Sequence, residues 1–99
     1  MATIAFRRGD VLTIHFAPVE DDGTPTDLTD ATAEVEISTA TACIRLPLTR
    51  SGDGFDWPLS DETVPAELQA RAYRAQFVIT WASGEEDRDD FVFLVEGGC

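Results

Sequence analysis

Apolar residues recur at every second position along most of the chain. Leu12, Ile14 and Phe16 alternate with Thr13, His15 and Ala17, and Ala33, Val35 and Ile37 alternate with Glu34, Glu36 and Ser38. The same step links Ile44, Leu46 and Leu48, and then Phe55, Trp57 and Leu59. Tyr73, Ala75, Phe77, Ile79 and Trp81 repeat it, and Phe91, Phe93 and Val95 close the chain. A period of two marks strands with one buried face. With a short opening strand around Thr3 to Phe6, the pattern predicts seven strands. Their inward residues predict a core of Leu12, Ile14, Phe16, Val35, Ile37, Leu46, Leu48, Trp57, Phe77, Ile79, Phe93 and Val95.

Turn chemistry falls between these runs. Gly9 separates the first two, Asp21-Asp22-Gly23-Thr24-Pro25 and Ser51-Gly52-Asp53-Gly54 follow, and Ser83-Gly84-Glu85 joins the last two as a hairpin. The pattern predicts an all-β fold. It is a single immunoglobulin-like antiparallel β-sandwich of about seven strands, with residues 1–99 as one domain.

Ser60 to Ala70 departs from alternation and predicts a short helical crossover before the sixth strand. Ser60 suits an N-cap, acids fill the first turn, and Pro65 suits the opening of a second short helix. Val64 and Leu68 are expected to plug the open end of the sandwich. Tyr73, directly after the crossover, suits a tyrosine corner, its hydroxyl bonded to backbone upstream; an ordinary tyrosine at the core edge fits the same position. The immunoglobulin disulfide has no counterpart, because Ala75 stands two residues after Tyr73.

The last strand is apolar on both faces. If Phe91, Phe93 and Val95 point inward, Val92 and Leu94 point outward, and Val78 has the same outward parity. Val78, Val92 and Leu94 are therefore the expected protein-contact residues, since a lone sandwich fills such positions with polar groups. The alternative is that the crossover folds over this face and buries them.

Composition narrows the function classes. The chain has 99 residues, 43% of them apolar, enough for one globular domain and too many for a disordered acidic tail. Arg supplies all 7 positive charges against 19 carboxylates, for a net charge of −12. Such a field repels phosphate, so neither nucleic acid nor an anionic membrane surface is an expected partner. No apolar run approaches the roughly 20 residues of a membrane span. The first residues carry no long apolar core behind Arg7 and Arg8, so no signal peptide is expected. Without Asn there is no N-glycosylation sequon.

Candidate chemistry is sparse. Cys43 and Cys99 have no metal-ligand spacing and are expected as free thiols. His15, the single histidine, has no triad neighbours in sequence and outward parity. Two acidic runs, Glu20 to Asp27 and Glu85 to Asp90, invite calcium, but neither follows the alternating acids of an EF-hand loop. Arg8-Gly9-Asp10 is an integrin-type tripeptide placed between two strands, where Gly9 supplies a bend and Asp10 is expected to turn its side chain onto nearby backbone N–H groups. No catalytic residue, metal or cofactor is expected, and an enzyme is the least favoured class.

Arg8-Gly9-Asp10-Val11-Leu12-Thr13-Ile14-His15-Phe16 is followed by Asp22-Gly23-Thr24-Pro25-Thr26-Asp27-Leu28-Thr29-Asp30-Ala31. This succession resembles small structural modules of tailed phages, including the N-terminal domain of upper baseplate proteins and related tail β-sandwich domains. Leu59-Ser60, Pro65, Tyr73-Arg74 and Val95-Glu96 extend the likeness over nearly the whole chain. It departs at Asp30, where the family usually carries Gly. The resemblance implies a structural virion protein, made in the host bacterial cytoplasm and present in multiple copies. It would act by contact with other virion proteins in the tail, baseplate or neck. In the family the module often precedes a fibre or receptor-binding part; with Cys99 as the last residue, this chain is expected to act alone. Capsid decoration is the alternative within that class, and a free adhesion or carbohydrate-binding module is a separate one. The latter expects exposed aromatics on one face, whereas Trp57, Trp81 and Tyr73 have inward parity.

Overall fold

The computed structural model describes residues 2–97; Cys99 lies outside them. Eight strands form in chain order: β1 (Ala2–Arg7), β2 (Leu12–Phe16), β3 (Thr32–Ser38), β4 (Cys43–Pro47), β5 (Thr49–Ser51), β6 (Gly54–Leu59), β7 (Arg71–Thr80) and β8 (Glu86–Glu96). Five make one sheet in the order β1-β8-β7-β3-β4, and three make the other in the order β2-β6-β5. No helix occurs among the described residues.

The expected strands are present, and two polar segments add to them. Thr49-Arg50-Ser51 carries no apolar residue, yet it pairs with β6 as β5. Glu86 to Asp90 extends β8 back from Phe91, because the β7 hairpin supplies a ladder all the way to Thr80. Trp81 N donates to Glu85 O at 2.8 Å and Gly84 N to Trp81 O at 2.9 Å, closing that hairpin with Gly84 at φ 88°.

The pairing is not antiparallel throughout. β1 runs parallel to β8, from Ala2 beside Phe91 to Arg7 beside Glu96. The chain leaves β1 for the opposite sheet, so β1 has no hairpin partner and takes the outer edge of β8. There Ile4 and Phe6 line up with Phe93 and Val95, and Phe6 is fully buried.

The expected helical crossover is absent: residues 60–70 are turns. Val64 N donates to Ser60 O at 2.9 Å and Leu68 N to Pro65 O at 3.1 Å, two separate turns. Pro65 has no N–H to extend the first turn and disfavours helical backbone at Val64. Arg8 holds the segment instead. Its Nη1 donates to Val64 O at 3.1 Å, and its Nη2 donates to Pro65 O at 2.7 Å and Leu68 O at 2.9 Å. The Arg8–Gly9–Asp10 turn is closed by Asp10 N donating to Arg7 O at 3.0 Å, while Gly9 N donates to Asp61 Oδ1 at 3.3 Å. The turn thus uses the Asp10 N–H and the Asp61 carboxylate, where an Asp10 side-chain contact was expected.

The two sheets face each other across one core. Phe55, Trp57 and Leu59 of β6 meet Val35, Ile37, Phe77, Phe93 and Val95 of the larger sheet, and Val64 and Leu68 close one end. Phe16 stacks on Phe77 with ring centroids 4.1 Å apart, and Trp57 lies 5.0 Å from Phe93. Leu12, Ile14, Phe16, Leu46 and Leu48, expected in the core, are only half-buried. β2 and β4 are edge strands, and Leu48 joins β4 to β5, so one flank of each is open. Leu28, in the loop before β3, is buried without any periodic signal. Close by, Asp30 holds φ 59°, a conformation Asp tolerates better than most non-glycine residues.

Candidate functional site

The larger sheet outreaches the smaller one. β2 ends at Phe16, but β7 and β8 continue past the Phe16–Phe77 stack to Thr80 and Glu86. The inner face of that overhang forms the floor of an open cleft of about 560 Å³. Phe16, Phe77, Ile79 and Trp81 line the floor, and Pro18 and Val19 form a wall. Val19 is 61% exposed, one of two large apolar residues so placed among the described residues.

The rim is acidic. Asp89 pairs across the ladder with Phe77 and Asp87 with Ile79, so both carboxylates occupy positions of core parity. Inward parity along β8 therefore runs Val95, Phe93, Phe91 and then Asp89, Asp87. The change from apolar to carboxylate comes where the smaller sheet no longer covers it. Glu20 and Asp27 complete the rim from the loop after β2. The two acidic runs of the sequence thus converge on one cleft, a meeting that their separation in the chain hid. They do not assemble as ligands: no three His, Cys, Asp or Glu among the described residues group to hold a metal ion.

Local bonds fix part of this rim. Trp81 Nε1 donates to Asp87 Oδ2 at 2.8 Å. Thr29 donates to Asp27 Oδ1 from its hydroxyl at 2.7 Å and its N–H at 3.0 Å, which holds that carboxyl below its ordinary pKa. Asp22 is lowered in the same way by Thr24.

The outer face of the larger sheet carries the sequence-predicted contact residues. Leu94 lies in one row between Ala5 and Ala72, and Val92 in the next row between Thr3 and Arg74. Both are half-buried. Val78 has the expected parity but does not join them. The Gln76–Asp90 pair separates it from Val92, and it is fully buried in the isolated chain. Arg88, beside Val78, reaches across β7 to Glu36 Oε2 at 2.7 Å, and Arg45 Nε lies 3.4 Å from Glu36 Oε1. Val78 therefore sits within a polar lattice and offers no surface; the outward patch is Val92 and Leu94 with the two alanines.

His15 and Cys43 are both exposed. His15 Nδ1 lies 2.6 Å from Asp56 Oδ1 and Nε2 lies 2.9 Å from Asp53 Oδ1, and these bonds, Asp56 first, raise its pKa. The register puts Asp56 opposite His15, and the β5–β6 turn supplies Asp53. The Ser51 side chain also hydrogen-bonds Asp56. The scan against protein-family models found no match, nor did searches of curated proteins and of solved structures.

Proposed function

We propose that the chain is a structural module of a tailed-phage virion, an immunoglobulin-like β-sandwich that acts by protein–protein contact in the tail, baseplate or neck. The likeness of its turn and strand motifs to phage tail modules supports the setting. The Tyr73 hydroxyl, donating to Gln69 O at 2.9 Å at the start of a long strand, supports the immunoglobulin-like reading. The observation that carries a contact role is the apolar Ala5–Leu94–Ala72 row beside Val92, with Leu94 and Val92 half-buried, on a face whose other positions are mostly charged or hydrogen-bonding. In this reading the module is not an enzyme and carries no cofactor. Its partners are other virion proteins, and it occupies the particle in several copies after synthesis in the bacterial cytoplasm. Decoration of the capsid surface would use the same contact chemistry at another place.

The test is incorporation. Mass spectrometry of purified particles of the phage encoding it should detect the chain, and cryo-electron microscopy should separate tail from capsid. Leu94→Glu should leave the isolated protein folded by circular dichroism and remove it from particles. Absence of the unaltered chain from particles overturns the virion reading. Normal incorporation of Leu94→Glu overturns the patch.

A further inference from the structure

The acidic cleft has a feature that a simple solvated rim lacks: it adjoins a strand edge that no described strand pairs. Among the described residues the parallel register of β1 on β8 runs from Ala2 beside Phe91 to Arg7 beside Glu96. Glu86 to Asp90 therefore pair with β7 on one side and with no described strand on the other, and all five are exposed. An edge of this kind accepts an added strand, with backbone bonds giving affinity and alternate side chains giving specificity. An incoming segment's alternate side chains would enter the cleft beside Asp87 and Asp89 and above Phe16, Phe77 and Trp81.

That chamber selects its occupant by charge. Four carboxylates and three aromatic rings line it, and no basic residue does. The nearest complement is a guanidinium, which stacks its plane on aromatic faces while its N–H fork meets carboxylates. A second copy of this chain does not fit: with a net charge of −12, its approach sets carboxylates against carboxylates. A volume of about 560 Å³ lies within the size of small-ligand sites, room for a long side chain with its flanking backbone.

We propose that this cleft docks an extended, arginine-bearing segment of a partner protein, which adds to the β8 edge along Glu86 to Asp90 and places an arginine side chain between the aromatic floor and the carboxylate rim. The inference deepens the protein-contact reading and rests on it only in requiring a partner. It concerns a different surface from Leu94, so either can fail alone.

The experiment is an NMR titration of the ¹⁵N-labelled chain with a capped alternating arginine–valine pentapeptide. Its counterpart, with each arginine replaced by neutral, nearly isosteric citrulline, is the control. Saturable shifts should concentrate at the Trp81 indole N–H and the amides of residues 86–90. The citrulline peptide should bind at least about tenfold more weakly. A double variant, Asp87→Asn with Asp89→Asn, should lose affinity for the arginine peptide by a similar factor. Glu62→Gln, a charge removed from the crossover outside the cleft, should not. Equal binding of the citrulline peptide overturns the proposal without reference to any variant. So does equal loss in Glu62→Gln, which would mean diffuse attraction to an acidic surface. Tighter, saturable binding of a neutral oligosaccharide such as maltotriose at the same signals would assign the cleft to carbohydrate and overturn it as well.

Discussion

The hydroxyl of Tyr73 donates to the carbonyl oxygen of Gln69, four residues upstream, at 2.9 Å. The ring is buried at the third residue of β7, and the guanidinium of Arg71 lies 5.3 Å from its centroid. One side chain thus ties the end of the crossover to the start of the longest stretch of the β7–β8 ladder. Tyr73→Phe keeps the ring and removes only the bond. Because Gln69 is exposed and water replaces the lost donor, the cost is expected to be about 1 kcal/mol in urea unfolding. A neutral result would leave packing alone as the role of Tyr73.

Arg8 has the larger task at the same segment. Three carbonyls of a turn that no helix stabilises converge on one guanidinium, itself 5.8 Å over the Phe6 ring. A lysine ammonium is a single point on a flexible stem and cannot satisfy all three in that fork geometry. Arg8→Lys is expected to cost about 2 kcal/mol, with hydrogen exchange accelerated first at the amides of Val64 and Leu68. Unchanged exchange there would mean that Val64 and Leu68 hold the crossover by burial alone.

These two residues mark how far sequence reading reached and where it stopped. The Tyr73 contact was one of two readings left open, since a tyrosine after a crossover and before a long alternating run suits either a corner bond or plain packing, and the bond to Gln69 decides between them. Phe91, Phe93 and Val95 were legible from alternation, and so was the outward direction of Val92 and Leu94. The Arg8 clamp was not, because its acceptors are backbone carbonyls more than 50 residues away and any sequence supplies those. The parallel β1–β8 pair and the burial of Val78 also depend on neighbours remote in the chain. So does the meeting of Glu20 and Asp27 with Asp87 and Asp89. Alternation reports which face a side chain takes, but not what lies over that face.

His15 makes stability depend on pH. Its pKa is raised by the bonds to Asp56 and then Asp53, whose own values are lowered chiefly by the same bonds. The histidine contribution is fully present below its ordinary value near 6.5 and is lost as pH rises through the raised one. The aspartate contributions are present above about 3.8 and fade as pH falls through the lowered values. Stability from this group therefore peaks between the lowered carboxylate values and the raised imidazole value. All three side chains are open to solvent, so the effect is screened and should shrink with added salt. Thermal melts from acid to mildly alkaline pH should show a loss on the alkaline side that His15→Gln lacks. Parallel curves for the two proteins would mean the imidazole adds nothing to folding.

Gly54 opens β6 at a place where β2 comes unusually close. A Cβ built there would fall against the carbonyl oxygen of Phe16, with the Phe16 carbonyl carbon 2.8 Å and the Ala17 Cα 2.9 Å away. These are backbone atoms, which cannot swing aside as a side chain does. Gly84 poses the opposite problem: its φ is 88°, but a Cβ there meets nothing within 4 Å. Conformational strain alone costs about 1–2 kcal/mol at such a position. Overlap with backbone must displace a strand, and Phe16 is the residue whose ring stacks on Phe77 at the mouth of the cleft. Gly54→Ala is therefore expected to destabilise by about 3 kcal/mol, more than Gly84→Ala despite the latter's positive φ. It should also shift the Phe77 ring resonances, which Gly84→Ala should leave in place. If unfolding curves rank the two glycines in the reverse order, β2 has room to move and the close approach at Gly54 does not constrain the cleft.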